Sequence, residues 1–250
     1  MNIALFVSGR ILGYDTCLLP MINNFKPASS GDFKIKVFFS INTFSLGKDE
    51  NILAIINNLK QLLGDKFGDI YYEDYKLPYD WVHSKLQNGT NGFIYNQMSC
   101  FYNDKQNLRL IEEYQVNNNI NFDIVAKLRS DITSSPISLK LDDPDALIIR
   151  TPLTGIGFWG HLAEFSKLPC QTISIDVVYG NMKSMRIYCK TYDWTLEQNI
   201  LLNGHYSCTF EPLITNSILD YRITDHNINN TPNITAEQLF DIFSNSLEEE

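Results

Sequence analysis

The sequence lacks most of the signatures by which a chain of this size declares its chemistry. Its five cysteines (Cys17, Cys100, Cys170, Cys189 and Cys208) are scattered, odd in number and without a CxxC pair. That pattern argues against a zinc ribbon or a disulfide framework and for reduced thiols in a cytoplasmic setting. Long apolar runs are missing as well. The opening MNIALFVSGR has no basic leader and only five apolar residues in succession, so neither a secretion signal nor a membrane span is expected. The turn after this first apolar run holds Gly9 and Gly13 but neither a GxGxxG nor a GK[ST] pattern, and a dinucleotide or P-loop motif would sit there. Positive charge is scarce too, with 20 Lys and Arg against 29 Asp and Glu, a net charge of -9 and a pI near 4.9. General affinity for nucleic acid is therefore not expected, and any phosphate site must be local.

What is present is an ordinary globular balance, 44% hydrophobic and 20% charged, enough for a sizeable core. No repeat or low-complexity linker divides the chain, which reads as one α/β domain over residues 1–250. Residues 2–8 form a buried first strand that runs into the Ser8-Gly9-Arg10 turn. Residues 15–25 suit a helix disturbed by Pro20, and residues 33–40 (FKIKVFFS) a second strand. Ile52, Ile55, Ile56, Leu59, Leu62 and Leu63 make a helical stripe that Gly64 is placed to end. A short strand at 69–73 precedes a loop at 77–91 carrying Tyr79 and Trp81. Such aromatics either stack on a base or sugar or pack their loop down.

Residues 93–115 read as one long helix with Ile94, Met98, Phe101, Leu108 and Ile111 on a single face. Gln97 and Lys105 lie at the edge of that stripe, where a polar side chain serves a site or, for lysine, snorkels to water. Later strands are expected at 146–150, 173–179, 206–210 and 219–224, with helices following Met182, starting at the Thr195-Leu196-Glu197-Gln198 capping box, and at 235–247.

The stretch around which these elements are organised is FDIVAKLRSDI, residues 122–132. Ile124, Val125, Ala126 and Leu128 suit a strand covered on both faces, as in a mostly parallel sheet. Arg129 and Asp131 follow at its carboxyl end, where open α/β sheets place their ligand chemistry. An acidic group fixed there can hold a divalent cation, which in turn can hold a diphosphate. The competing reading is an Arg and Asp paired merely to close the strand. Three further acidic features stand out. Asp142, Asp143 and Asp145 cluster around a proline turn, more in the manner of a solvated bend than a metal site. Asp176 interrupts an apolar run, which demands a partner or a task. Glu197 falls in a first helical turn, where the helix dipole favours it.

The ordered series of elements resembles GT-A-type glycosyltransferases, specifically the lipopolysaccharide-synthesis (WavE-like) and large-DNA-virus glycosyltransferase families. The resemblance rests on Val7-Ser8-Gly9-Arg10 after the first strand, Asn96-Gln97-Met98-Ser99-Cys100-Phe101-Tyr102 opening a helix, and Arg129-Ser130-Asp131 ending a strand. It continues in Asp176-Val177-Val178-Tyr179-Gly180-Asn181-Met182 and in Glu197-Gln198-Asn199-Ile200-Leu201-Leu202. It covers most of residues 1–205. The DxD motif of other GT-A enzymes is replaced by Arg-x-Asp, because position 129 is arginine.

The resemblance implies a GT-A-like (Rossmann-like) mixed, mostly parallel sheet flanked by helices. Residues 1–131 would form a nucleotide-sugar-binding half, and 132–250 an acceptor half with the C-terminal elements. It implies a glycosyltransferase that moves a sugar from a UDP- or GDP-linked donor to a hydroxyl on a glycan, glycolipid or glycoprotein. Asp131, with His205, would hold Mn²⁺ or Mg²⁺. Ser8, Gly9, Arg10, Gln97, Lys105 and Arg129 would meet the donor, and Asp176 or Glu197 would act as base. A sugar-nucleotide nucleotidyltransferase and a catalytically idle carbohydrate-binding module are the alternatives on such a sheet.

Overall fold

The structure, a computed structural model, describes residues 1–8, 11, 13–27, 31–43, 51–78, 91–128, 137–139, 147–150, 177–190, 192–193, 196, 220–224 and 234–235. Strand β1 spans Asn2–Ser8. A π-helical turn (Tyr14–Leu18) and helix α1 (Leu19–Asn24) lead through the short β2 (Phe25–Pro27) to β3 (Lys34–Asn42). Helix α2 (Ile52–Leu63) then connects to β4 (Phe67–Glu73), and helix α3 (Asn91–Asn118) to β5 (Ile124–Leu128). The remaining described elements are β6 (Ile137–Leu139), β7 (Leu147–Arg150), β8 (Val177–Gly180), helix α4 (Met182–Cys189), β9 (Asp220–Thr224) and β10 (Ile234–Thr235).

Eight strands form one sheet in the order β10-β9-β7-β8-β5-β1-β3-β4. The pairs β3–β4, β1–β3, β1–β5 and β7–β9 are parallel, whereas β8 runs antiparallel to both β5 and β7, and β10 antiparallel to β9. The fold is thus the mixed, mostly parallel, helix-flanked α/β sheet expected from the sequence. Five consecutive buried residues in β1 (Ile3–Val7) and in β5 (Ile124–Leu128) mark strands covered on both faces.

Strand alternation assigns each side chain to one of two layers. Ala4, Phe6, Phe38, Val125 and Val178 join Met98, Phe101, Leu108 and Ile111 of α3 and Met185 and Tyr188 of α4. On the opposite face Ile3, Leu5, Val7, Val37, Phe39, Ile41 and Ala126 meet Met21 and Ile22 of α1 and Leu59 and Leu63 of α2. Burying each large apolar side chain contributes about 1.5–3 kcal/mol, so these two layers outweigh any surface ion pair.

Local signals explain the helix ends. The Asn51 side chain accepts from the Leu53 and Ala54 amides at 2.9 and 3.4 Å to start α2, and Gly64, at φ 55°, ends it. Asn119 takes the left-handed conformation (φ 49°) after α3, with the Ile120 amide bonded to the Gln115 carbonyl at 3.1 Å.

Two sequence expectations are corrected, and one small sheet is new. The helix expected over 15–25 is split, because Pro20 has no amide hydrogen for a preceding carbonyl. The chain instead makes a π-helical turn after Gly13 (φ 66°) and starts α1 with proline in its first turn. A small parallel sheet of β2 with β6 was unforeseen, since three-residue strands carry no periodic signal. Thr235, expected to cap a helix, lies in β10 opposite Asp220. The strand expected at 206–210, the capping box at Thr195, and residues 236–247 fall outside the described residues.

One glycine holds a close approach. The β3–β4 register shifts at Val37/Phe38, with Val37 opposite Phe67 and Phe38 opposite Asp69, so Gly68 is the extra residue of a bulge. A Cβ on Gly68 would lie 2.8 and 2.9 Å from the Phe38 ring. That ring is held edge-on by Tyr114 and Phe122, with centroids 5.3 and 5.9 Å away. Gly68→Ala is therefore expected to destabilise the fold by about 1–3 kcal/mol. Urea unfolding measures this, and an unchanged midpoint would contradict the packing described.

Candidate functional site at the carboxyl ends of the parallel strands

The chain leaves β1 toward β3 and β4 on one side and returns through α3 to β5 on the other. Strand order therefore reverses between β1 and β5, and ligands of open α/β sheets sit outside the carboxyl ends at such a point. Val7 pairs with Leu128 there, so the Ser8-Gly9-Arg10 and Arg129-Ser130-Asp131 motifs are entered from adjacent strand ends.

The layer beneath α3 changes character toward this edge. β1 runs Ala4, Phe6, Ser8 on that face, β3 runs Phe38, Ser40, Asn42, and β5 runs Val125, Lys127. As a crossover helix, α3 runs antiparallel to these strands, and its facing residues change in step. Ile111 and Leu108 lie over the apolar part, while Asn107, Asp104, Asn103 and Ser99 lie over the polar part. Buried polar groups must find partners, and here they pair across the layer. Asn107 Nδ2 donates to the Val7 carbonyl and to Ser8 Oγ, both at 2.9 Å. Ser40 Oγ donates to Asn103 Oδ1 at 2.6 Å, and Asn42 Nδ2 to Ser99 Oγ at 2.7 Å. Asn103 Nδ2 closes the chain on the Ser99 carbonyl at 2.7 Å.

Lys127 completes the layer with a charge. Its Nζ lies 2.6 Å from Asp104 Oδ2, 3.1 Å from Tyr188 Oη and 3.4 Å from Cys100 Sγ. Tyr188 also donates to Asp104 Oδ2 at 3.2 Å. The two charged side chains are only 3% and 1% exposed. Burial alone would push the Lys127 ammonium down, but the Asp104 carboxylate prevails and holds it well above the usual lysine range. Burial, reinforced by Asp104, likewise pushes the Tyr188 phenol well up. Among the described residues, Asp104 Oδ1 and Asn107 Oδ1 are buried without a hydrogen-bond partner.

A second cluster lies where β4 ends. Tyr75 packs on Tyr102 and Tyr192 at centroid distances of 4.6 and 6.1 Å and donates a 3.3 Å hydrogen bond to the Tyr192 hydroxyl. Tyr71 donates to the Glu73 carboxylate. Burial and Glu73 together push the Tyr102 phenol far up. Lys105 makes a 2.6 Å ion pair with Asp193 and sits 5.7 Å over the Tyr192 ring.

Of the sequence-derived site residues, Ser8 and Lys105 are fully described. Ser8 is half-buried at the β1 terminus. Lys105 is half-exposed and engaged by Asp193 and Tyr192. Gln97 lies in the first third of α3, near the strand ends, with its side chain outside the described residues. Gly9, Arg10, Arg129, Asp131, Asp176, Glu197 and His205 also lie outside the described residues, as do Tyr79, Trp81 and the acidic cluster at 142–145. Among the described residues no group of three or more His, Cys, Asp or Glu side chains is arranged to hold a metal ion. Also among them, no helix is long and apolar enough to cross a membrane. Among the described residues, Cys17, Cys100 and Cys189 form no disulfide.

The sequence reasoning missed Lys127 and the polar face of α3. A signal existed, because a lysine inside IVAKL is a charge in an apolar run, the same anomaly that singled out Asp176.

The described residues thus define an α/β protein with a polar, partly charged edge at its strand-order reversal. No family model matches the chain, and no curated protein matches it. Among solved structures, the nucleoside-diphosphate-sugar pyrophosphorylase from Vibrio cholerae RC9 is similar at 10% identity. The TM-score is 0.46, over 98% of this chain and 100% of that one.

Alkaline pH gives a test of the buried phenol. A folded-state pKa raised above the unfolded value near 10 means that stability is fully present below pH 10. Above that, the unfolded state loses a proton that folded Tyr188 retains, so stability falls as pH rises. Tyr188→Phe is expected to make that fall shallower in chemical denaturation between about pH 9 and 11. An identical slope in both proteins would place Tyr188 in contact with solvent.

Proposed function

We propose that the chain is an enzyme of nucleotide-sugar chemistry that binds a nucleoside diphosphate moiety at the strand edge between β1 and β5. The observation that carries this reading is the adjacency of the β1 and β5 termini at the strand-order reversal, backed by the buried polar layer of α3. Strand ends held over a hydrogen-bonded polar layer suit a preorganised anion site.

Within that class the motif series favours glycosyl transfer. An acceptor hydroxyl oxygen attacks the anomeric carbon, the bond from that carbon to the diphosphate oxygen breaks, and its electron pair leaves with the nucleoside diphosphate. Ser8 and the Gly9-Arg10 turn would meet the nucleotide, with Gln97 and Lys105 nearby on α3. Arg129 supplies a guanidinium fork to the phosphates. Asp131, with His205 as a further ligand, would hold Mn²⁺ or Mg²⁺, whose charge would offset that of the leaving group. Asp176 is assigned the acceptor proton in an inverting transfer, with Glu197 second. The alternative reaction is nucleotidyl transfer that forms a sugar nucleotide, and the solved structure from Vibrio cholerae RC9 is named for such chemistry.

Calorimetry separates these reactions. Titration with UDP- and GDP-sugars, with and without Mn²⁺, is expected to give metal-dependent binding. Tighter binding of a nucleoside triphosphate would move the assignment to nucleotidyl transfer, and no nucleotide binding at all would leave a carbohydrate-binding module. Asp131→Asn is expected to abolish the metal-dependent component while melting as the parent does. Unchanged donor affinity in that variant would remove Asp131 from the site. Asp176→Asn is expected to bind donor normally and transfer nothing. An active variant would pass the role to Glu197 or to a retaining mechanism.

A further inference from the structure

The buried polar layer uses two different solutions on neighbouring strands. β1 and β3 present short neutral groups, Ser8, Ser40 and Asn42, each met by a neutral side chain of α3. β5 instead presents Lys127, one residue before its last, and meets a buried carboxylate. Stability does not account for this choice. A buried ion pair is generally matched or exceeded by well-packed apolar residues of similar volume. Among the described residues this one is also imperfectly satisfied, since both Lys127 and Tyr188 bond to Asp104 Oδ2 while Asp104 Oδ1 has no partner there.

Geometry is what the cluster supplies. An ammonium has three donors, and Lys127 directs them at three partners, Asp104 and Cys100 on α3 and Tyr188 on α4. Three directed bonds from two helices fix the end of β5 in position and rotation. Apolar contacts in the same place would let it slide, because they are non-directional. The tie also sits where the strand is asymmetrically supported, parallel to β1 on one side and antiparallel to β8 on the other, with Lys127 opposite Val178.

We propose that Lys127, through Asp104 and Tyr188, is a positioning residue that sets the β5 terminus against α3 and α4. It thereby holds the strand end leading into Arg129-Ser130-Asp131 beside Ser8. Its consequence for ligand binding rests on the nucleotide-sugar reading above, whereas its consequence for β5 does not.

The test uses the full chain and the paired variant Lys127→Met/Asp104→Leu, which removes both charges and leaves neither one buried alone. Melting temperature, amide hydrogen exchange over residues 122–131 and calorimetry with UDP- and GDP-sugars are read on parent and variant. The expected result is a melting temperature close to the parent's, faster exchange confined to residues 122–131, and donor affinity weaker by roughly tenfold to a hundredfold. Parent-like exchange together with parent-like affinity would overturn the proposal and leave the pair structural. If the parent binds no nucleotide, the functional reading fails and hydrogen exchange alone decides the positioning role. Should the paired variant not fold, Tyr188→Phe, which keeps the ring and removes one of the three directed bonds, is measured in the same way. Unchanged exchange over residues 122–131 in that variant also overturns the proposal.

Discussion

Burying the Lys127 ammonium within β5 is the constraint from which the carboxyl half of the sheet follows. Born solvation makes an unpaired charge there prohibitive. A carboxylate must therefore come from whatever covers that face, and Asp104 of α3 supplies it at 2.6 Å. That contact fixes where α3 lies on the sheet. With Asp104 over β5, its neighbour Asn107 reaches the end of β1 and Asn103 reaches Ser40 of β3. A helix rotated by one residue would replace Ser99 with Met98 or Cys100 opposite Asn42 and take Asn103 away from Ser40, losing both hydrogen bonds. The polar layer consequently specifies the rotation of α3, while the apolar layer of Phe101, Leu108 and Ile111 supplies most of the burial.

The same helix ties in α4. Tyr188 reaches the Lys127–Asp104 pair from below, and Arg186 makes a 2.6 Å contact with Glu112 at the surface. Both lie on α4, but they differ in weight. The Arg186 and Glu112 side chains are 55% and 39% exposed, so that pair contributes at most about 1 kcal/mol. The buried contact is the one that couples strand to helix. Asn181, whose side chain accepts from the Ser184 amide at 2.8 Å, starts α4 right after β8 and holds Tyr188 on the facing side.

Much of the frame was legible in the residues. The apolar run of β1 and the apolar residues on either side of Lys127 in β5 read directly as strands covered on both faces. The stripe from Ile52 to Leu63 with Gly64 after it marked the extent of α2, whereas the Asn51 cap was recognised only in the structure. Elements whose existence depends on long-range pairing were not legible. β2 and β6 are three residues each and are strands only because each is the other's partner. Thr235 looked like a helix cap because its side chain suits one, yet its backbone pairs with Asp220. The sequence drew attention to Ser8 at the end of β1 but not to the buried polar layer behind it. Periodicity shows which face of α3 is apolar. It does not show that Ser99, Asn103, Asp104 and Asn107 are buried too, because their burial depends on polar partners in three different strands.

The character of that layer bears on what the edge can do. A site for a diphosphate must hold concentrated negative charge without letting the protein relax around it. Flexible surface lysines attract such a ligand yet lose side-chain entropy on ordering. Groups already fixed by hydrogen bonds do not. Ser8 is one of these, because the Asn107 side-chain amide donates to its oxygen. The same amide nitrogen donates to the Val7 carbonyl, which can only accept, and that fixes the amide's orientation. One asparagine thus holds the last two residues of β1. Lys127 lies too deep, at 3% side-chain exposure, to meet a ligand in this arrangement. Its charge is matched by Asp104, so under the proposed reading the positive charge for a phosphate would come from residues beyond the strand ends. The arginines at positions 10 and 129 are the cations that the sequence supplies next to β1 and β5.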